Sequence, residues 1–177
     1  MKKVVITCGL IAGTIVSVFM LSSIAWSSSR DNFEGSMLVG YASMLLSFSL
    51  IFVGIKNFRD KYNHGLVSFG KAFQIGLYIT LIASTMYVIA WYIDYHFFVP
   101  DFMDKFTDAT LKELRAEGVS GAELEKQIVE LNSYKEMYKN PAMIILMTYM
   151  EILPVGLLVS LISALLLKKQ SQPARVS

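Results

Sequence analysis

Four long stretches of this chain carry almost no charge, and the charged residues fall into blocks between them. The apolar runs cover residues 4–26, 36–55, 72–93 and 142–167; the first three hold no charged side chain and the fourth holds only Glu151. The hydrocarbon core of a bilayer is about 30 Å thick, so a helix needs about 20 apolar residues to cross it. Each run meets that length, and a helix satisfies its backbone N–H and C=O groups internally, as hydrocarbon demands. The pattern predicts four transmembrane helices. The first run follows Met1-Lys2-Lys3 and precedes a small, polar stretch at 22–29, which has the look of a signal peptide. A signal peptide's apolar core is about 7–15 residues. This run is longer, and Cys8 lies too near the start for lipoprotein processing, so a retained span is expected.

Residues 94–140 form a polar insert too long for a structureless loop. Pro100 opens a first amphipathic helix, expected over 101–117, with Phe102, Phe106, Leu111 and Leu114 on one face. Gly118 stands where a helix C-terminus favours glycine. Ser120 and Glu123 have capping-box spacing, and Leu124, Ile128, Leu131 and Tyr138 mark a second helix over 121–139 that stops before Pro141. The reading is an all-α, integral membrane four-helix bundle, one domain over 1–177, with an extracytoplasmic helical hairpin between spans three and four. The hairpin's apolar stripe would meet its partner helix, the lipid surface or another protein.

Lysine and arginine in the short loops set the orientation. Lys2 and Lys3 precede span one; Lys56, Arg59, Lys61 and Lys71 lie between spans two and three; Lys168, Lys169 and Arg175 follow span four. The loop after span one has only Arg30, offset by Asp31 and Glu34. This places both termini in the cytoplasm and the chain in the cell inner membrane as a multi-pass protein. Trp26, Trp91, Tyr92 and Tyr95 fall at the expected outer boundary, where amphipathic rings anchor helices. Small residues recur at helical spacing in every span: Gly9, Gly13 and Ser17; Ser36, Gly40, Ser43 and Ser47; Gly76, Thr80 and Ser84; Gly156, Ser160 and Ala164. Such stripes let backbones approach closely where lipid removes the hydrophobic drive. Packing within the bundle is the expected use, with a homo-oligomer as the alternative.

Composition narrows the chemistry. Apolar residues make up 54% of the chain and mean hydropathy is +0.50, too high for an ordinary soluble domain of this length. A net charge of +2 with no basic stripe excludes a nucleic-acid binder. One cysteine allows no intrachain disulfide and no Cys/His metal spacing. Asp94, His96, Asp101 and Asp104 cluster at the base of the insert. One histidine and several carboxylates can make a metal site, but nothing in their spacing is diagnostic and an acidic membrane-proximal turn is the expected reading. No phosphate-cradling glycine loop and no nucleophile motif occur. The two histidines, His64 and His96, fall on opposite sides of the predicted membrane. No enzyme, cofactor or metal is expected.

Two stretches have a family look. The loop after span two reads Gly54-Ile55-Lys56-Asn57-Phe58-Arg59-Asp60, then Gly65, Ser68-Phe69, Lys71-Ala72-Phe73 and Gly76; span four reads Glu151-Ile152-Leu153-Pro154-Val155-Gly156. With four spans and a long third loop, the chain resembles the bacterial membrane family catalogued as domain of unknown function 4199. The resemblance implies a four-span membrane protein and assigns no activity or site residue. Physically, Asn63-His64-Gly65 is a turn signal, Arg59 and Asp60 suit a local ion pair, and Lys71 sits where lysines reach toward anionic headgroups. Arg59, Asp60 and Lys71 are thus candidate residues of a cytoplasmic docking loop.

Glu151 stands out because a carboxylate inside a span is costly and by default marks function. It lies about 13 Å along the helix from Ala142. Pro154 follows three residues on and frees the Met150 carbonyl. Equal depth on the neighbouring spans reaches Ser22, Ser23, Ser43, Ser84 and Tyr87, and no lysine or arginine. Glu151, Pro154, Tyr87 and Ser43 form the candidate intramembrane site. The expected role of Glu151 there is a neutral glutamic acid hydrogen-bonded to a serine or tyrosine that holds two helices together, with a proton or cation relay as the alternative. Two functions fit. One is an accessory protein acting through the hairpin and the basic loop, with membrane lipids and a membrane or periplasmic protein as partners. The other is a small transporter or proton/cation-linked membrane protein using Glu151.

Overall fold

A computed structural model describes residues 1–28 and 34–169. Arg30, Asp31, Arg175 and the side chains of Glu34 and Ser36 lie outside the described residues. The chain forms six α-helices in the order α1 (Lys2–Ser28), α2 (Glu34–Asn57), α3 (Phe69–Phe97), α4 (Phe102–Ala116), α5 (Gly121–Tyr138) and α6 (Pro141–Leu167). A π-helical turn, Phe58–Tyr62, continues α2. Four segments, Lys2–Trp26, Val39–Tyr62, Phe69–Phe97 and Pro141–Leu167, are long and apolar enough to cross a membrane. The protein is all-α and reads as multi-pass.

The four long helices pack in a ring in which α1 neighbours α3, α3 neighbours α6, α6 neighbours α2 and α2 closes on α1. The small-residue stripes explain the closeness. A Cβ at Gly9 would sit 2.9 Å from Ile82, and one at Gly13 would lie 3.1 Å from the Ala83 backbone. Gly76 faces Ser160, whose hydroxyl lies 3.1 Å from the Thr80 hydroxyl. A Cβ at Gly156 would overlap Thr80 and stand 2.9 Å from the Phe48 ring. These residues serve contacts inside the bundle, as close backbone packing between apolar helices requires. Phe48, Ile51, Ile79 and Ile152 are fully buried around them.

Helix ends follow local chemistry. Ser68 Oγ accepts from the Lys71 N–H at 3.3 Å and caps α3. Asn140 Oδ1 accepts from the Ala142 N–H at 2.9 Å, with Pro141 at the first helical position of α6. Gly118 closes α4 at φ 84, while its own N–H donates to Arg115 and that of Val119 to Leu114. This pair of bonds is a Schellman motif. The capping box expected at Ser120 does not form: its side chain makes no cap hydrogen bond, and the α5 N-terminus turns on Gly121 at φ 63 instead.

At the end of the bundle that holds the Met1 end of α1, the turn after α2 is tied to the end of α6. Arg59 pairs with Asp60 at 2.6 Å and donates to the Leu167 carbonyl at 3.4 Å. Val67 and Lys169 exchange backbone hydrogen bonds of 2.9 and 2.8 Å. Asn63 Nδ2 donates to the Leu66 carbonyl at 2.6 Å, with His64 and Gly65 at positive φ, which forms the expected turn. Lys71 Nζ donates to Gln74 at 3.1 Å. At the opposite end, α4 and α5 contact each other, and α5 also contacts α6. Lys135 bridges back to Asp104.

Candidate functional site

Between the four long helices, at the end where α4 and α5 sit, lies a cavity of about 350 Å³. Helix α1 contributes Met20, Ser23 and Ile24; α2 contributes Gly40, Tyr41 and Ser43; α3 contributes Tyr87 and Trp91; α6 contributes Met147, Thr148 and Glu151. Phe102, Met103 and Phe106 from α4 and Tyr134 and Tyr138 from α5 complete the wall. The inward stripe of α6 runs Ile144, Thr148, Ile152, Gly156 and Ser160, all buried. Glu151 stands one turn after Thr148 beside that stripe; it is exposed and lines the cavity.

The wall is built of aromatic rings braced against each other. Trp91 meets Phe102 edge to face at 4.9 Å, and Tyr95, behind it, contacts both Trp91 at 5.7 Å and Tyr138 at 5.5 Å. Phe102 and Phe106 stack at 6.0 Å. The Trp91 side chain also hydrogen-bonds Tyr138. Burial, and then the neighbouring Glu151 charge, push the Tyr138 phenol up to about 12. Helix α5 therefore brings a polar ring close to the carboxylate of α6.

Two small hydroxyls of the polar lining have their protons committed elsewhere. Ser43 Oγ donates to the Gly40 carbonyl at 2.7 Å, and Thr148 Oγ1 donates to the Ile144 carbonyl at 2.7 Å. With their protons so engaged, both hydroxyls offer the cavity lone pairs. Among the described residues no ion pair involves Glu151, and no lysine, arginine or histidine lines the cavity. Below it the bundle closes where Phe48, Thr80 and Gly156 meet.

Three of the four residues proposed as an intramembrane site, Glu151, Tyr87 and Ser43, line this one cavity, as does Ser23. Pro154 is exposed one turn beyond Glu151 and does not line it. Ser22 is exposed, whereas Ser84 is buried with its hydroxyl unpartnered in the described structure. The docking-loop residues Arg59, Asp60 and Lys71 lie at the other end of the bundle, and Arg59 is occupied with the C-terminus of α6. Trp91, grouped by sequence with the boundary anchors, is 6% exposed and turned into the cavity wall, while Trp26 is 63% exposed. The rings of α4 and α5 were visible only as an apolar stripe. No local signal shows that this stripe faces Glu151.

The acidic residues of the insert have other occupations. Asp101 pairs with Lys105 at 2.9 Å, which holds its carboxyl below the usual range, and Asp104 pairs with Lys135. His96 Nδ1 lies 3.2 Å from the Tyr92 carbonyl. Among the described residues no group of three His, Cys, Asp or Glu side chains is placed to hold a metal.

Family comparison covers nearly the whole of this architecture: the family described as protein of unknown function, DUF4199, matches residues 7–169. The chain belongs to this family. The match takes in α2, α3, α6, α1 from residue 7 onward and every residue of the cavity wall, so the cavity lies within the DUF4199 region. No curated protein and no solved structure matches the chain.

Proposed function

We propose that this DUF4199 protein is a small cation-linked membrane transporter whose working site is the Glu151 cavity. One observation carries the reading. A carboxylate sits a third of the way along an apolar helix, unpaired by any described basic residue, and faces space rather than packed side chains. A buried structural glutamate would be wrapped by donors, because an unpaired polar group in an apolar layer is costly. Facing a cavity, Glu151 can instead meet a proton, a cation or a ligand. The layer of Phe48, Thr80 and Gly156 beneath acts as a gate that must loosen for passage. The positive-inside pattern of the short loops puts the α4–α5 end outside the inner membrane, so the cavity faces the extracytoplasmic side.

This reading is better supported than an accessory role for the α4–α5 pair and the basic loop. Helices α4 and α5 spend their aromatic side chains on the cavity wall, and Arg59 is engaged within the chain. The test is purified protein reconstituted in proteoliposomes with a trapped pH indicator and an imposed sodium or proton gradient. The expected result is a cation flux in the wild type that Glu151→Gln abolishes while protein level and thermal unfolding stay unchanged. A flux equal in Glu151→Gln and wild type, or no flux above protein-free vesicles, overturns it.

A further inference from the structure

We infer that the cavity selects a protonated primary amine carried on a short apolar or aromatic body. The inference rests on the cavity being the working site and adds the chemical class of its occupant. Three features of the wall point the same way. Glu151 is the one Asp, Glu, Lys, Arg or His side chain in the wall, and as a carboxylate it would attract positive charge and repel anions. Its small polar side chains, Ser43 and Thr148, have their protons committed to backbone carbonyls, so they accept from a ligand that donates. An ammonium group carries three N–H donors and no acceptor, which fits a cavity lined by a carboxylate and two hydroxyl lone pairs. Much of the rest of the wall is aromatic, with Tyr87 and Trp91 buried in it among methionine and isoleucine side chains, and ring faces attract a desolvated cation as well as an apolar body.

The acceptor pattern separates this class from its neighbours. A quaternary ammonium would gain the ring faces and the charge but offers no N–H to Ser43 or Thr148. A bare metal ion has no apolar body to fill the cavity, and a carboxylate would be repelled by Glu151. A volume of about 350 Å³ is at the small end of ligand cavities, which run from about 300 to 1,000 Å³. A monoamine with one ring or a short alkyl chain suits it better than a drug-sized polycation.

The chain has two tryptophans, and Trp26 is exposed and does not line the cavity. Trp26→Phe therefore leaves Trp91 as a reporter inside the wall. With this variant in lipid nanodiscs, 2-phenylethylamine, its trimethylammonium counterpart, 2-phenylethanol and 3-phenylpropionate are titrated against Trp91 fluorescence, with empty nanodiscs as the partitioning control. The amine is expected to bind saturably and more tightly than the other three. Adding Glu151→Gln should weaken it about tenfold or more, the scale of one lost charge-assisted hydrogen bond. Gly40→Phe, which adds a ring where a Cβ would meet nothing within 4 Å, should block it without disturbing the fold. If the alcohol binds as well as the amine and Glu151→Gln changes nothing, the amine class is wrong although the cavity still binds ligands. Failure of all four probes to give saturable, Gly40→Phe-sensitive quenching refutes the inference directly, and the proteoliposome flux then decides the transport reading separately.

Discussion

Single residues in this bundle are either small enough to let helices touch or polar enough to need a reason. Gly156 shows the first kind. Its missing side chain is where Thr80 and Phe48 enter, so Gly156→Val forces a branched Cβ into filled space. Overpacking of this sort costs about 1–3 kcal/mol, and a lower midpoint of thermal unfolding in detergent should report it. Gly40→Ala is the matched control, since nothing lies within 4 Å of its Cβ and alanine is the better helix former by roughly 0.5–1 kcal/mol. An unchanged or raised midpoint is expected there. If Gly156→Val is as stable as wild type, the packing account of the small-residue stripes is wrong. Glu151 is the second kind of residue. Counting equal depths down four helices located Ser23, Ser43 and Tyr87 beside it because helical rise is constant. The same count also returned Ser22 and Ser84, which point elsewhere, since depth fixes height on a helix but not direction around it.

At the scale of elements, the four long helices were legible because lipid imposes length and apolarity on each separately. The two short ones were legible for a different reason: apolar positions recur at helical spacing between Pro100 and Pro141, broken at Gly118. What stayed hidden was where their faces go. Phe102, Phe106 and Tyr138 meet α3 and α6 residues across the cavity, contacts made by tertiary placement and absent from any local pattern. The capping box failed because Gly121 takes φ 63 and swings the Ser120 side chain out of reach of the helix N–H groups. The turn at Gly118 can be tested directly. Its φ of 84 lies in the left-handed region, and no neighbour within 4 Å crowds a Cβ. Any cost of Gly118→Val is therefore backbone strain, about 1–2 kcal/mol. Amide exchange over residues 114–119 should speed up in this variant, with exchange in α1 and α3 unaffected. Gly118→Asn should lose less, because asparagine tolerates that conformation. Equal protection in all three proteins would mean that the turn does not depend on glycine.

For the whole molecule, the remaining question is which end faces the cytoplasm, and charge placement answers it as a prediction. Arg59 reaches the end of α6, and Val67 pairs with Lys169, so the turn after α2 and the end of α6 are physically one surface. Lys56, Lys61 and Lys168 belong to the same end, and Lys2 and Lys3 open α1 there. The other end carries α4 and α5, where six basic residues stand against ten acidic over 94–139. Short basic loops stay in the cytoplasm, whereas long segments cross largely regardless of charge. The orientation is therefore decided by the basic end and not by the acidic one. A reporter active only in the cytoplasm, fused after Lys61 or after Ser177 (outside the described residues), should be active; fused at Glu130 in α5 it should be silent. A periplasm-dependent reporter should give the reverse pattern. Exchanging Lys56 and Lys61 for glutamine should weaken the bias without moving the helices. Cytoplasmic activity at Glu130 would invert the molecule, turn the Glu151 cavity toward the cell interior, and replace an external source for its amine with an internal one.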